Sequence, residues 1–315
     1  MHTTPGAPSV EPSERGRSGL RLNGWGSRWL IWGPYGFLVA FFLLPFLIVF
    51  KISFSELSES GVGFIDMVSV QEGVLQLRLK FANYIFLLSD DLYVKTYFSS
   101  LGYAAVTTLV CLVMGYPFAY FLARSPAAWR PALMLLVMLP FWTSFLLRIY
   151  AWKGLLDANG LVNQLLLGMG LIASPLQMMN TSFSLLVGMV YVYLPFMILP
   201  LYANLVKMDL RLLEAAADLG AKPWTVFWRI TVPLSRNGIL AGSMLVFIPC
   251  VGEYVIPAML GGPDTLNIGR VLWDEFFNNN DWAMASTVAI VMMVMIVGPM
   301  AWFNRIQTAE QGGKS

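Results

Sequence analysis

The sequence predicts an all-α polytopic membrane protein with six transmembrane helices and a helix–turn–helix hairpin held outside the bilayer. Hydrophobic residues fill 57% of the 315 positions and charged residues 12%, at a mean hydropathy of +0.65. Soluble domains are roughly half apolar and a quarter charged. The charges fall between long apolar runs rather than along one helical face, so lipid and neighbouring helices must meet that apolar surface. The hairpin is read from a connection of about 32 residues between the fourth and fifth runs, which carries helix-forming sequence of its own.

Residues 1–28, rich in Pro, Gly, Ser and Arg, read as a disordered cytoplasmic tail. The apolar run behind it is too long for a signal h-region and shows no small-residue cleavage site, so it is expected to stay as an anchor. Runs near the roughly 20 residues that a helix needs to cross the hydrocarbon core lie at 30–51, 97–123, 131–153, 182–205, 238–260 and 283–303. They define a membrane domain over 29–308, with a short cytoplasmic tail at 309–315. Prolines inside the runs (Pro45, Pro117, Pro140, Pro195, Pro200, Pro249, Pro257, Pro299) are expected to be kinks and not boundaries. Residues 81–96 and 160–172 have near-helical apolar spacing and predict short helices on the outer surface.

Placing both termini in the cytoplasm puts 13 of the 20 Lys and Arg residues inside, in accord with the positive-inside rule. Twelve of the 18 acidic residues then lie outside or in the outer half of a span, for an external net charge of −5. That surplus fits either inexpensive surface acids or long-range attraction of cations. The two cysteines, Cys111 and Cys250, lie within apolar runs, and the lone histidine, His2, lies in the polar tail. No metal site and no catalytic nucleophile–base pair follows from them.

In the long connection Asp209 is a plausible N-cap. LRLLEAAADL (210–219) forms helix readily, Gly220 can end it in a left-handed turn, and Pro223 can open a second helix. Ala215, Ala216 and Ala217 allow close approach of a partner, while Glu214 can make a charge-assisted contact. Glu214-Ala215-Ala216, then Gly220, nine residues, Ile230 and Val232-Pro233 resembles the EAA loop of MetI-like permeases of binding-protein-dependent ABC importers. Only Val232 departs from that pattern, where the family has Leu. The resemblance implies a type I importer permease in the bacterial inner membrane, whose hairpin (209–233) couples to a cytoplasmic ATPase through Glu214, Ala215, Ala216, Asp218 and Gly220.

The resemblance extends to the polyamine branch of that family, most of all its putrescine permeases. LLPFLIVFKISFSE (43–56), LPFWTSFLLRIYAWKGLL (139–156), YVYLPFMILPLY (191–202), GSMLVFIPCVGEYVIPAMLGGP (242–263) and IGRVLWDEFFNNNDWAMASTVAI (268–290) carry it. It implies an ATPase dimer, a second homologous permease and a periplasmic polyamine-binding protein as partners, besides membrane lipid and without nucleic acid. No Walker A loop occurs: the near match ending Gly313-Lys314-Ser315 has Thr308 where its first Gly belongs. This chain is therefore expected to be no enzyme and to bind no cofactor, with ATP and Mg used by the partner.

Glu253 lies in the fifth run beside Pro249, Gly252 and Pro257. An ionisable residue at such depth is expensive enough to be a functional candidate. Two roles fit it: pairing with a protonated amine, or a structural bond to a neighbouring helix, with Arg148 and Lys153 as possible partners. Tyr254, Asp264, Trp273, Asp274 and Glu275, with Asp281 and Trp282, interleave aromatics and carboxylates, which suits an alkyl diammonium. Interfacial Trp belts explain such a mixture equally. The alternatives are an ABC permease for another solute, or an ion-coupled secondary transporter, for which neither inverted repeats nor a selectivity motif is seen.

Overall fold

The computed structural model describes residues 32–57, 64–65, 68–71, 74–77 and 81–312. The expected tail at 1–28 lies outside the described residues. Helices carry the fold, and among the described residues four short antiparallel strands lie in one connection: Glu56–Leu57 with Phe64–Ile65, and Val68–Gln71 with Val74–Leu77.

Among the described residues three helices are able, by length and hydropathy, to cross a membrane: α1 (Trp32–Ile52), α3 (Asp91–Arg124) and α7 (Ser182–Leu205). The count rises to five if two bent pairs each make one span. One pair is α4 (Arg130–Trp142) with Phe145–Gly168, bent by 86°; the other is α9 (Pro223–Leu234) with α10 (Arg236–Val251), bent by 66°. A shorter apolar stretch, Trp282–Gly298, opens the last helix, α13 (Trp282–Gly312). That helix runs on through Gly312. The short elements are α2 (Ala82–Ser89), α5 (Phe145–Leu156), α6 (Leu161–Gly168), α8 (Arg211–Asp218), α11 (Val255–Leu260) and α12 (Ile268–Trp273).

The structure differs from the sequence reading at three places, each with a local cause. Helix α3 starts at Asp91 rather than near 97, because the Asp90 carboxylate accepts the Leu92 N–H at 2.7 Å and caps it there. Its 34 residues reach about 51 Å, well beyond a hydrocarbon core of about 30 Å. The run 131–153 is not one helix. Leu139–Trp142 tightens into a 3₁₀ turn at Pro140, and the Thr143 hydroxyl bonds back to the Pro140 carbonyl at 2.7 Å. The run 238–260 breaks at Gly252–Tyr254, so Pro140 and Pro257 mark boundaries and not kinks. Pro117, Pro195, Pro200 and Pro249 do sit within continuous helices.

The core is the mutual packing of α3, α7 and α10. Small residues bring the backbones together. A Cβ on Gly242 would stand 3.1 Å from the Met197 carbonyl oxygen, and one on Gly238 would stand 3.1 Å from that of Pro200. Buried hydroxyls bond across helices: Tyr116 to Ser235 at 2.8 Å, Tyr97 to the Val288 carbonyl at 2.8 Å, and Ser184 to the Leu260 carbonyl at 2.7 Å. In hydrocarbon an unpaired polar group is costly, so these bonds fix the register of the helices as well as their contact.

A leucine at Gly242 has nowhere to go and should destabilise the bundle by about 1–3 kcal/mol. The expected readout is a lower thermal midpoint for the detergent-purified protein, with Gly102→Leu as control, since a Cβ at Gly102 meets nothing within 4 Å.

Candidate functional site

The break in the fifth run is a consequence of its proline. Pro257 has no N–H, and its ring clashes with the carbonyl four residues earlier, which belongs to Glu253. Helix α10 therefore ends at Val251, and α11 starts afresh at Val255 with two free N–H groups. The Glu253 side chain turns back onto them: Oε1 accepts from the Val255 N–H at 3.0 Å and the Ile256 N–H at 3.4 Å. Its other oxygen, Oε2, accepts the hydroxyl proton of Tyr193 on α7. Glu253 is half-buried.

Helix α7 grips α11 along its length. Tyr193 holds the start, Gly188 lets Ile256 and Leu260 lie close, and Ser184 bonds to the Leu260 carbonyl at the end. The bonds to Glu253 correct one expectation, because its partners are Tyr193 and the α11 backbone in place of Arg148 and Lys153. The Arg148 guanidinium lies over Phe141 and Phe145, at 5.3 and 5.8 Å from the ring centroids, and its buried Nε has no hydrogen-bond partner among the described residues.

Helix α12 seals the break from the other side. The Asn267 side chain caps its first turn, and the Ser100 hydroxyl of α3 accepts the Ile268 N–H at 2.7 Å. A Cβ on Gly269 would lie 2.4 Å from the Gly252 carbonyl oxygen and 2.6 Å from that of Glu253, so only glycine permits this approach. The result places Trp273 in a parallel stack on Tyr254, with centroids 4.3 Å apart and planes at 13°, and Phe277 extends the stack at 4.1 Å. A wide turn over Asp274–Asn278 follows α12.

The carboxylates of that turn have local partners. Asp274 accepts from Asn278 at 2.7 Å and pairs with Arg270 at 3.9 Å. At 40% and 43% exposure of the two side chains, that ion pair contributes little to stability. Glu275 accepts from the Tyr93 hydroxyl and from Asn279 at 2.9 Å. Asp281 caps α13 through the Met284 N–H at 2.8 Å, and Trp282 stacks on Phe276 at 5.7 Å. The structure thus joins Glu253 and Tyr254 to Trp273, Asp274 and Glu275, while Asp264 is exposed on the connection between α11 and α12. Tyr193, Tyr93 and Phe277 were missed in the sequence. Each lies among many aromatics, with no spacing to single it out.

At the other end of α10 the chain forms a second site. Asp209 accepts the Arg211 N–H at 3.0 Å and opens α8, which carries Glu214, Ala215, Ala216 and Asp218. Gly220 follows at φ 78°, its N–H on the Ala217 carbonyl at 2.8 Å and the Ala221 N–H on the Ala216 carbonyl at 3.0 Å. This paired closure requires the left-handed conformation that glycine adopts without strain. Helix α9 starts with Pro223 in its first turn, and its Phe227 packs edge-on to Tyr116 and Tyr120 of α3, at 5.4 and 6.4 Å. A cavity of about 230 Å³ remains between Ala217, Phe227 and Tyr120. Glu214, Ala215 and Asp218 are exposed, as are Leu219 at 89% and Trp224 at 71%.

Residues 19–308 match the family described as binding-protein-dependent transport system inner membrane component. The chain belongs to that family. Among its relatives is the spermidine/putrescine transport system permease protein PotB of Escherichia coli strain K12, 41% identical over 266 residues that cover 83% of this chain and 92% of the relative. PotB of Haemophilus influenzae is 38% identical over 262 residues, covering 83% and 87%. The inner membrane ABC transporter permease protein YdcU of E. coli is 31% identical over 219 residues, covering 66% and 70%. Among solved structures, a bacterial ABC transporter that imports the acidic polysaccharide alginate aligns at TM-score 0.65, with 16% identity and coverage of 90% and 96%. The MetNI methionine transporter aligns at 0.52, with 15% identity and coverage of 69% and 95%. At such identities the likeness is one of fold. As a member of this family the chain is a transport permease of the ABC importer class, an inner-membrane component.

In this permease Gly269→Ala should force α12 off the Gly252–Glu253 backbone and part Trp273 from Tyr254. The expected result is a near-ultraviolet circular dichroism change and a lower thermal midpoint, with the far-ultraviolet helix signal retained.

Proposed function

We propose that this permease forms the translocation path of an ATP-driven importer for a polyamine, putrescine or spermidine, and that its substrate passes the break at Glu253. The observation that carries the reading is a half-buried carboxylate at a helix break, directly followed in the chain by the Tyr254–Trp273–Phe277 stack. Carboxylates suit the charged ends of a diammonium ion, and ring faces suit its alkyl middle and its charge. The relatives named for spermidine and putrescine support the same class. Asp274 and Glu275, whose partners here are neutral side chains and one weak ion pair, lie on the turn beyond the stack, and the exposed Asp264 adds acid to the same outer segment.

The residues 209–233 are proposed to dock on a separate ATPase, which uses ATP and Mg while this chain binds no cofactor. Exposed Leu219 and Trp224 give that hairpin an apolar contact face, with Glu214 and Asp218 at its side and Ala215 and Ala216 small enough for close approach. The complex is proposed to comprise two ATPase subunits, a second homologous permease and a periplasmic polyamine-binding protein, with both termini of this chain in the cytoplasm. Closure of the ATPase pair moves the hairpin and opens the path to the docked binding protein; hydrolysis returns it to face inward.

The Glu253 contacts give the step its chemistry. Its carboxylate holds the start of α11 and the Tyr193 hydroxyl together. A substrate ammonium that takes over Oε2 displaces Tyr193 and exchanges a neutral donor for a cationic one.

Glu253→Gln keeps an oxygen for the α11 N–H groups but removes the charge, so uptake by the reconstituted complex should fall about tenfold or more with assembly intact; an unchanged rate would assign the residue a purely structural role. Gly220→Pro removes the N–H bonded to Ala217 and forbids φ 78°. It should leave the complex hydrolysing ATP without uptake, and uptake at the wild-type rate would refute the coupling role. Uptake of labelled putrescine should be competed by spermidine and not by an uncharged diol of the same length.

A further inference from the structure

Helix α3 ends at Arg124, on the same end of the bundle as the hairpin, and the side chain there is incompletely paired. Its guanidinium lies over the Tyr120 ring at 5.1 Å, while Nη2 is buried with no hydrogen-bond partner among the described residues. A buried guanidinium nitrogen without an acceptor is an unmet donor, costly to leave so. Arg124 also lines a groove of about 510 Å³ whose other walls are mostly apolar: Phe121 and Leu133 towards the membrane interior, Ser125, Pro126 and Trp129 at the turn. Phe121 is 62% and Trp129 63% exposed. Arg130, at the start of α4, donates from its Nε to the Ser125 carbonyl at 2.8 Å.

A groove with one cationic end and an apolar length, at the end of a membrane-spanning helix beside an exposed tryptophan, matches an amphiphile with an anionic head. We infer that it is a binding site for an acidic phospholipid, whose phosphate accepts from the Arg124 guanidinium while its acyl chain lies on Phe121 and Leu133. Charge complementarity selects this occupant over a neutral solute. The position of Arg124 at the end of α3 selects lipid over a soluble anion, since tryptophan and arginine mark the headgroup level. Tyr120 joins the site to the hairpin, because the ring under Arg124 also packs edge-on to Phe227 at 6.4 Å. The site rests only on the chain spanning a membrane, not on which solute crosses.

The test measures lipid retained by the complete, detergent-purified complex after exchange into mixed phosphatidylcholine and phosphatidylglycerol, read by native mass spectrometry. The wild-type complex should hold phosphatidylglycerol in preference. Arg124→Gln should lose about fivefold of that preference, the worth of one cation at a membrane surface, and Lys153→Gln should keep it. Equal preference in Arg124→Gln and wild type overturns the inference. So does loss of the ATPase subunit from Arg124→Gln with lipid retention unchanged, which would seat a protein in the groove. Should Arg124→Gln fail to assemble, a spin label on Trp129→Cys with Arg124 intact decides. Immobilisation on titration with phosphatidylglycerol and not with phosphatidylcholine supports the site, and an equal response to both lipids overturns it.

Discussion

The proline at 257 is the constraint on which the rest of the site depends. It denies the Glu253 carbonyl its helical bond, and the helix must stop. Everything nearby answers that stop. Glu253 turns its carboxylate onto the new helix start, Tyr193 binds the second oxygen, and glycine at 269 lets α12 close over the exposed backbone. A continuous helix would leave Glu253 a lone acid in hydrocarbon, where its cost would be high. At the break the same acid accepts from three donors, so it stays within the bundle without a basic partner.

The stack of Tyr254, Trp273 and Phe277 follows from the same event. Tyr254 stands between two helices rather than inside one, so its ring is free of the helical ridge and meets Trp273 flat. Because α12 is pinned to α3 through Ser100, and α11 to α7 through Ser184 and Tyr193, the stack is held between the two long helices of the core. A relative movement of α3 and α7 would therefore change the aromatic surface and the Glu253 contacts together.

Much of this was legible in the sequence, and the remainder was lost for identifiable reasons. The hairpin could be read because its signals are local: a capping aspartate, an alanine-rich helix, glycine in the left-handed region at 220 and proline in the first turn of the next helix. Glu253 stood out because a charge within an apolar run is conspicuous. The broken runs were misread because a proline alone does not separate a kink from a stop. Pro249 is absorbed within α10 and Pro257 is not, and the difference lies in what can take up the freed groups, which for Pro257 is the neighbouring carboxylate. Tyr193 was invisible for a similar reason: its partner is 60 positions away, brought close only by the packing of α7 on α11.

The two ends of the molecule that matter are joined by a single helix. The hairpin's second arm, α9, passes through Ser235 directly into α10, and α10 ends at Val251, two residues before Glu253. Sixteen helical residues span about 24 Å, so on the proposed reading a push on the hairpin reaches the carboxylate through one rigid rod and two articulations. Both articulations are bonded to a fixed neighbour: Ser235 shares a hydroxyl contact with Tyr116 of α3, and Glu253 takes that of Tyr193 of α7. Each contact joins side chains, so on the proposed reading a tyrosine releases its partner without unfolding a helix. Glycines at 238 and 242 set the rod in close backbone contact with α7.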